Sequence, residues 1–181
     1  MTTQRDAGYC EYVEVRLPAL RRLALLLCQD RHRADDLVQQ AVIRLYVHWA
    51  RASAAANTDA YVNAILVREF LHEQRSVWTR RVSVTDQVPE APILTADRDG
   101  LMDLQAAGAA LPPGQRATLV LRYYCDLDVD RTAAALGCTT GTVKSQTAKA
   151  LAALRIHLGE TAGSQPSPPA RRQARNGFRR D

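Results

Sequence analysis

Apolar positions along the chain recur at helical spacing, and alternation with a period of two is almost absent. Leu20, Leu23, Ala24 and Leu27 form one stripe, and Leu37, Val38, Ala41, Val42, Leu45 and Trp49 form a second. Val62, Leu66, Phe70 and Val77 make a third. Ala, Leu, Arg and Gln, which lose little on entering a helix, fill these stretches. The pattern predicts a helix in two parts over about residues 8–28. Pro18 starts the second part, because its missing N–H costs little in a first turn. A second helix is expected from Arg31 to Ala52, with Asp30 as N-cap and Asp35 and Asp36 near its positive end. A third should run from Asp59 to Arg81, capped by Asn57 or Thr58.

The later part of the chain has a different rhythm. Leu111-Pro112-Pro113-Gly114-Gln115-Arg116 reads as a helix start, continuing through Leu121-Arg122-Tyr123-Tyr124. A short amphipathic piece, Val129 to Leu136, ends at Gly137, a residue suited to a left-handed turn. Thr139 or Thr140 then caps a long helix from Gly141 to about Leu158. Its buried stripe is Val143, Thr147, Ala150, Leu151, Leu154 and Leu158. Lys144, Ser145, Ala148, Lys149 and Arg155 project outward, with Gln146 at the edge. Short helix, glycine turn and capped helix make the arrangement of a helix-turn-helix DNA reader. A plain helical hairpin with a solvated face is the competing reading.

Two helix faces carry more than a core requires. On the second helix, Ile43 and Val47 lie among Asp36, Gln39, Gln40 and Arg44. They are either scattered surface apolar residues or a docking surface for a partner helix. On the third, Tyr61, Arg68, His72, Arg75 and Thr79 share a face, with Ile65 beside them. Cations that hold phosphate and a ring that stacks on a base suit single-stranded nucleic acid, although a solvated basic face has the same composition.

Charge divides the chain in the same way. The 181 residues hold 24 basic and 19 acidic side chains, net +5. Residues 1–84 carry net +3, residues 85–104 net −4, residues 105–159 net +3 and residues 160–181 net +3. The acidic stretch contains Pro89 and Pro92 and no apolar periodicity, so it reads as a flexible linker. The final stretch is rich in Pro and Ser, then in Arg, and is expected to be disordered. The fold class expected is therefore all-α: two small helical domains, a flexible acidic linker and a basic tail. No apolar run approaches the roughly 18 residues of a membrane span. The opening Met1-Thr2-Thr3-Gln4-Arg5-Asp6 lacks a secretory apolar region, so a cytoplasmic protein without membrane insertion is expected.

Little points to catalysis. Cys10, Cys28, Cys125 and Cys138 form no C-x-x-C pair. Cys28 with His32 is a lone C-x3-H without a second pair of zinc ligands. His32, His48, His72 and His157 are dispersed along the helices with no Ser, Cys or carboxylate partner at a telling spacing, and no Gly-rich phosphate loop is present. No cofactor, no metal and no enzymatic activity are expected.

Taken together, the motifs resemble those of bacterial extracytoplasmic-function (ECF) RNA polymerase sigma factors of the sigma-70 family, closest to the SigE-like subfamily. The resemblance covers about residues 8–158. It rests on Asp36-Leu37-Val38-Gln39, on Trp49 and the helix after it, and on the string Leu111-Pro112-Pro113…Arg116…Leu121-Arg122-Tyr123-Tyr124…Ala133…Leu136-Gly137…Gly141-Thr142-Val143-Lys144-Ser145. It implies that residues 1–84 are sigma region 2, of three to four helices, and residues 105–159 are sigma region 4. Asp36, Leu37, Gln39, Gln40, Ile43 and Val47 would then bind core RNA polymerase, at the clamp helices of its largest subunit. The flap region would be a further contact. Tyr61, Asn63, Arg68, His72 and Arg75, with the loop from Ala50 to Thr58, would open the −10 element and capture a flipped base. Thr142, Lys144, Ser145, Gln146 and Lys149 would read the −35 element as duplex. The acidic linker would thread the RNA-exit path, and an anti-sigma factor would be a further partner.

The sequence departs from the family pattern at Asn63, Arg68, Arg131 and Gln146, where Arg, Asn, an acid and Arg respectively are common. These positions bear on which promoter is read. A stand-alone helix-turn-helix regulator with a sensory first domain is the alternative. It would need a ligand pocket or receiver, and the first domain has no strand–helix alternation from which to build one.

Overall fold

The computed structural model describes the backbone of residues 2–82 and 108–163 and the side chains of residues 5–76 and 108–156. Every regular element among these residues is a helix. The acidic stretch expected at 85–104 lies outside the described residues, as does nearly all of the tail.

Three long helices form the first unit: α1 (Thr2–Cys28), α2 (Arg31–Ser53) and α3 (Thr58–Val82). Asp30 caps α2 by accepting from the Arg33 N–H at 2.8 Å. Asn57 caps α3 through the Ala60 N–H at 2.9 Å. The three stripes meet as expected: Leu23, Leu27, Leu37, Leu45, Val62, Leu66 and Phe70 are all essentially removed from water. Burial of such side chains contributes roughly 1.5–3 kcal/mol each before entropy is charged against it.

The first helix differs from expectation. It is one continuous helix with Pro18 inside it, not two parts. Proline deprives the carbonyl four residues earlier of its partner. That carbonyl belongs to Glu14, and both Glu14 and Pro18 are exposed, so water can serve it. Polar ties then fix α1 across its neighbours. The Tyr9 hydroxyl donates to the Val42 carbonyl at 2.8 Å. The Tyr12 hydroxyl donates to Asp59 Oδ1 at 2.8 Å, and Arg16 holds Asp59 Oδ2 at 3.0 Å. Trp49 closes the end of the bundle, with the Tyr9 ring edge-on at 5.8 Å.

The second unit contains α4 (Pro113–Leu119), α5 (Val129–Leu136) and α6 (Thr140–Gly163). Residues Val120–Tyr124 continue α4 as a wider π-helical turn, where an ordinary helix was expected. The Cys125 N–H reaches the Val120 carbonyl at 3.0 Å. Within this turn Leu121 is fully buried, while Tyr123 and Tyr124 face outward. Asp128 caps α5 through the Arg131 N–H at 2.7 Å. Gly137 ends α5 in the left-handed region with φ 66°, where a side chain would be strained. Thr139 begins α6 by accepting from the Thr142 N–H at 3.2 Å.

The two units are closed on each other. Ala117, Val120, Leu121, Leu127 and Ala135 of the second join the apolar cluster of the first. Arg68, Arg116 and the Asn63–Cys125 pair bridge the junction.

Candidate nucleic-acid interface

The polar face of α2 is built as the sequence implies, with one exception. Asp36, Gln39, Gln40, Ile43 and Val47 are exposed. Ile43 is 68% exposed and Val47 64%, high values for β-branched apolar side chains on an ordered helix. Leu37 is the exception: at 1% exposure it is a core residue and cannot touch a partner. Asp36 and Gln39 point outward, but a step of about 100° turns Leu37, like Val38, into the bundle.

The residues expected to handle single-stranded DNA do not form one continuous surface. Tyr61, Ile65 and Arg68 line a cleft of about 570 Å³ between α3 and α5. Asn63 faces a different cleft, beside Tyr124 and Cys125, and its amide lies 3.6 Å from Cys125 Sγ. His72 and Arg75 are exposed farther along α3 and do not line the first cleft. Arg68 is engaged: its Nε donates to the Ala135 carbonyl at 2.7 Å and Nη2 to Ala134 at 2.8 Å.

Arg44, His48 and Arg51 of α2 line the same cleft as Tyr61, and the sequence reading missed them as a group. Their spacing of four and then three residues is one helical stripe, so the signal was present. Arg44 is held by Glu69 at 3.0 Å. Arg131 contributes from the opposite wall and pairs with Asp128 at 3.5 Å.

On α6 the outward face holds Lys144, Ser145 and Lys149, all exposed. Thr142 is half-buried in the first turn, its hydroxyl 2.9 Å from that of Thr139. Gln146 differs from expectation. It is half-buried and turned inward, with Oε1 accepting from the Thr118 hydroxyl at 2.6 Å. Thr118 is wholly buried on α4, and its hydroxyl needs partners there. Gln146 therefore joins α6 to α4, and the outer face of α6 is narrower than the sequence implied.

All four cysteines are free thiols, with Cys10 exposed, Cys28 buried and Cys125 and Cys138 partly buried. Burial pushes the Cys28 thiol up to about 12 and the Cys125 thiol up to about 11. Among the described residues no three His, Cys, Asp or Glu side chains are placed to hold a metal ion. No helix among them is long and apolar enough to cross a membrane.

A helix-turn-helix unit with a basic outer face, behind a three-helix unit with an apolar pair on its polar side, can be compared with known proteins. Residues 12–80 match the family model for sigma-70 region 2, and residues 101–154 match that for sigma-70 region 4. The chain is 38% identical to the RNA polymerase sigma-E factor of Streptomyces coelicolor over 82% of its own length and 84% of the relative's. The chain belongs to the ECF sigma factors. It is 32% identical to the ECF RNA polymerase sigma factor SigL of Mycobacterium tuberculosis, over 78% of this chain and 83% of that one. The sigma factor RpoE of Bartonella quintana, solved in complex with the anti-sigma factor NepR, is similar in structure. Its TM-score is 0.67 at 26% identity, covering 84% of this chain and 97% of that one. This ECF sigma factor carries both family domains in family order, which does not favour a stand-alone regulator.

Proposed function

We infer that this sigma factor binds core RNA polymerase through the exposed face of α2 and directs it to promoters through α3 and α6. The observation that carries the reading is the solvent-exposed pair Ile43 and Val47 within an otherwise polar face. Apolar side chains so placed contribute nothing to this fold and much to a helix packed against them. Asp36, Gln39 and Gln40 would rim the contact with the clamp helices. Tyr123 and Tyr124, exposed on the π-helical turn, suit a second contact at the flap.

Promoter recognition divides by strand state. Lys144, Ser145 and Lys149 would meet duplex at the −35 element, where cations hold phosphate and a hydroxyl suits a base edge. Tyr61, with Arg68 and the basic stripe of α2, would meet the opened −10 strand by stacking and phosphate pairing. Asn63, His72 and Arg75 would contact flanking nucleotides. The segment 85–104 would follow the RNA-exit path. The chemistry of transcription belongs to the polymerase, so the protein acts in the cytoplasm at the nucleoid. An anti-sigma factor, the partner of the similar RpoE, is part of the proposal.

The test is a binding titration of core polymerase with the wild-type chain and with Ile43→Asp/Val47→Asp. The double variant should keep its helical signal and lose affinity by about two orders of magnitude. Unchanged affinity would remove the docking surface.

A further inference from the structure

Half-buried leucines of three helices line a single cavity of about 630 Å³. Leu25 and Leu26 come from α1, Leu119 from α4, and Leu151 and Leu154 from α6. A space of this size with mostly apolar walls and a few polar groups suits a small molecule. The residues assigned above to the polar face of α2, to α3 and to the outer face of α6 do not line it. Tyr123 and Tyr124, named above for the flap, do.

Two polar groups at this cavity lack partners. Gln29 is 7% exposed, and its Nε2 donates to the Leu26 carbonyl at 2.7 Å. Its Oε1 is buried and accepts nothing among the described residues. Arg116 directs Nη1 to the Leu27 carbonyl at 2.6 Å and Nη2 to those of Ala109 and Leu111 at 3.0 Å. Its Nε is left buried without an acceptor. Buried donors and acceptors are normally satisfied, so an orphaned acceptor and an orphaned donor at one cavity call for a group that supplies both partners.

Charge and backbone add to this. Arg116 has no carboxylate partner among the described residues, and neither has Arg22, which is exposed on the same cavity. Burial lowers the Arg116 pKa, as expected of a cation that faces carbonyl dipoles and no anion. Gln29 itself stands in the left-handed region with φ 58°. Glycine or asparagine ordinarily fills that place after a helix end. A buried glutamine there carries strain that no contact of its Oε1 offsets within the fold.

We propose that this cavity binds one small amphipathic acid. The apolar chain lies among the leucines. The carboxylate accepts from Arg116 Nε and is attracted by Arg22. An N–H or O–H beside the carboxylate donates to Gln29 Oε1.

Calorimetric titration of the full chain, below micelle concentrations, tests each part. N-lauroylglycine offers the N–H and β-hydroxylaurate the O–H. Laurate lacks the donor, and N-lauroylglycine methyl ester lacks the charge. One of the first two should bind at one site per chain about tenfold more tightly than laurate or the ester, and the tighter of them identifies the donor. Gln29→Gly, which removes the acceptor and suits the backbone, should bring that ligand down to the laurate level and leave laurate unchanged. Leu151→Trp places an indole in the cavity and should abolish binding of all four, with the helical signal retained. No saturable binding, equal affinities for the four compounds, or affinities indifferent to both substitutions would overturn the proposal.

Discussion

Leu37 and Ile43 both lie on α2, on different faces of the helix, and substitutions at the two positions should have opposite consequences. Leu37 is in the core at 1% exposure, so Leu37→Ala should cost about 2–5 kcal/mol in denaturant unfolding, whatever it does to binding. Ile43→Asp should leave the unfolding midpoint nearly unchanged and act only on polymerase affinity. Gln146 and Lys144 form a similar pair on α6. Gln146→Ala removes the Thr118 hydrogen bond, for a loss of about 1 kcal/mol in stability. Lys144→Ala should leave stability alone and lower the salt dependence of duplex binding by about one ion if the lysine holds phosphate. A changed −35 preference would show base reading instead. The buried thiols set a pH limit. Cys28 and Cys125 are favoured as neutral groups in the fold, with values pushed up to about 12 and about 11 from 9.0. Their stabilising effect is complete below pH 9 and is lost as pH rises toward those values, because the unfolded thiols ionise first. Thermal unfolding from pH 8 to 11 should show the decline. A cysteine-to-serine variant at 125 that keeps the same slope would locate the effect elsewhere.

The helices themselves were legible because their signals are local. Asp30, Asn57 and Gly137 sit at the ends the spacing assigned to them, and the α2 stripe is buried as its period requires. Two features escaped. Pro18 predicts a boundary, because a helix interior normally excludes it, but the exposed side of α1 leaves the freed carbonyl to water. At Val120–Tyr124 the sequence predicts ordinary helix, since a wider π-helical turn leaves no mark on composition. Gly137 provides the test at this scale. Open space surrounds it, so Gly137→Ala introduces backbone strain at φ 66° and no clash. The expected cost is about 1–2 kcal/mol, read as a lower unfolding midpoint. A neutral result would mean that the turn between α5 and α6 relaxes out of the left-handed region.

At the scale of the molecule, the two domains could be told apart from charge and rhythm, and their roles from the motifs of α2 and α6. Their closure could not. Arg68 meets Ala135 across 67 residues and Arg116 meets Leu27 across 89. No local pattern pairs an arginine with a backbone carbonyl so far away. Arg68 and Gln146, both expected as DNA contacts, are likewise engaged within the protein by partners outside their own helices, Ala135 and Thr118. This chain is a sigma factor, which directs RNA polymerase to promoters. The most direct measurement mixes it with core polymerase and a library of promoter DNA, and maps transcript 5′ ends. The expected result is a stable holoenzyme that starts transcripts at defined positions downstream of one shared pair of −35 and −10 sequences. Core polymerase that neither retains the chain nor acquires defined start sites in its presence would refute that role.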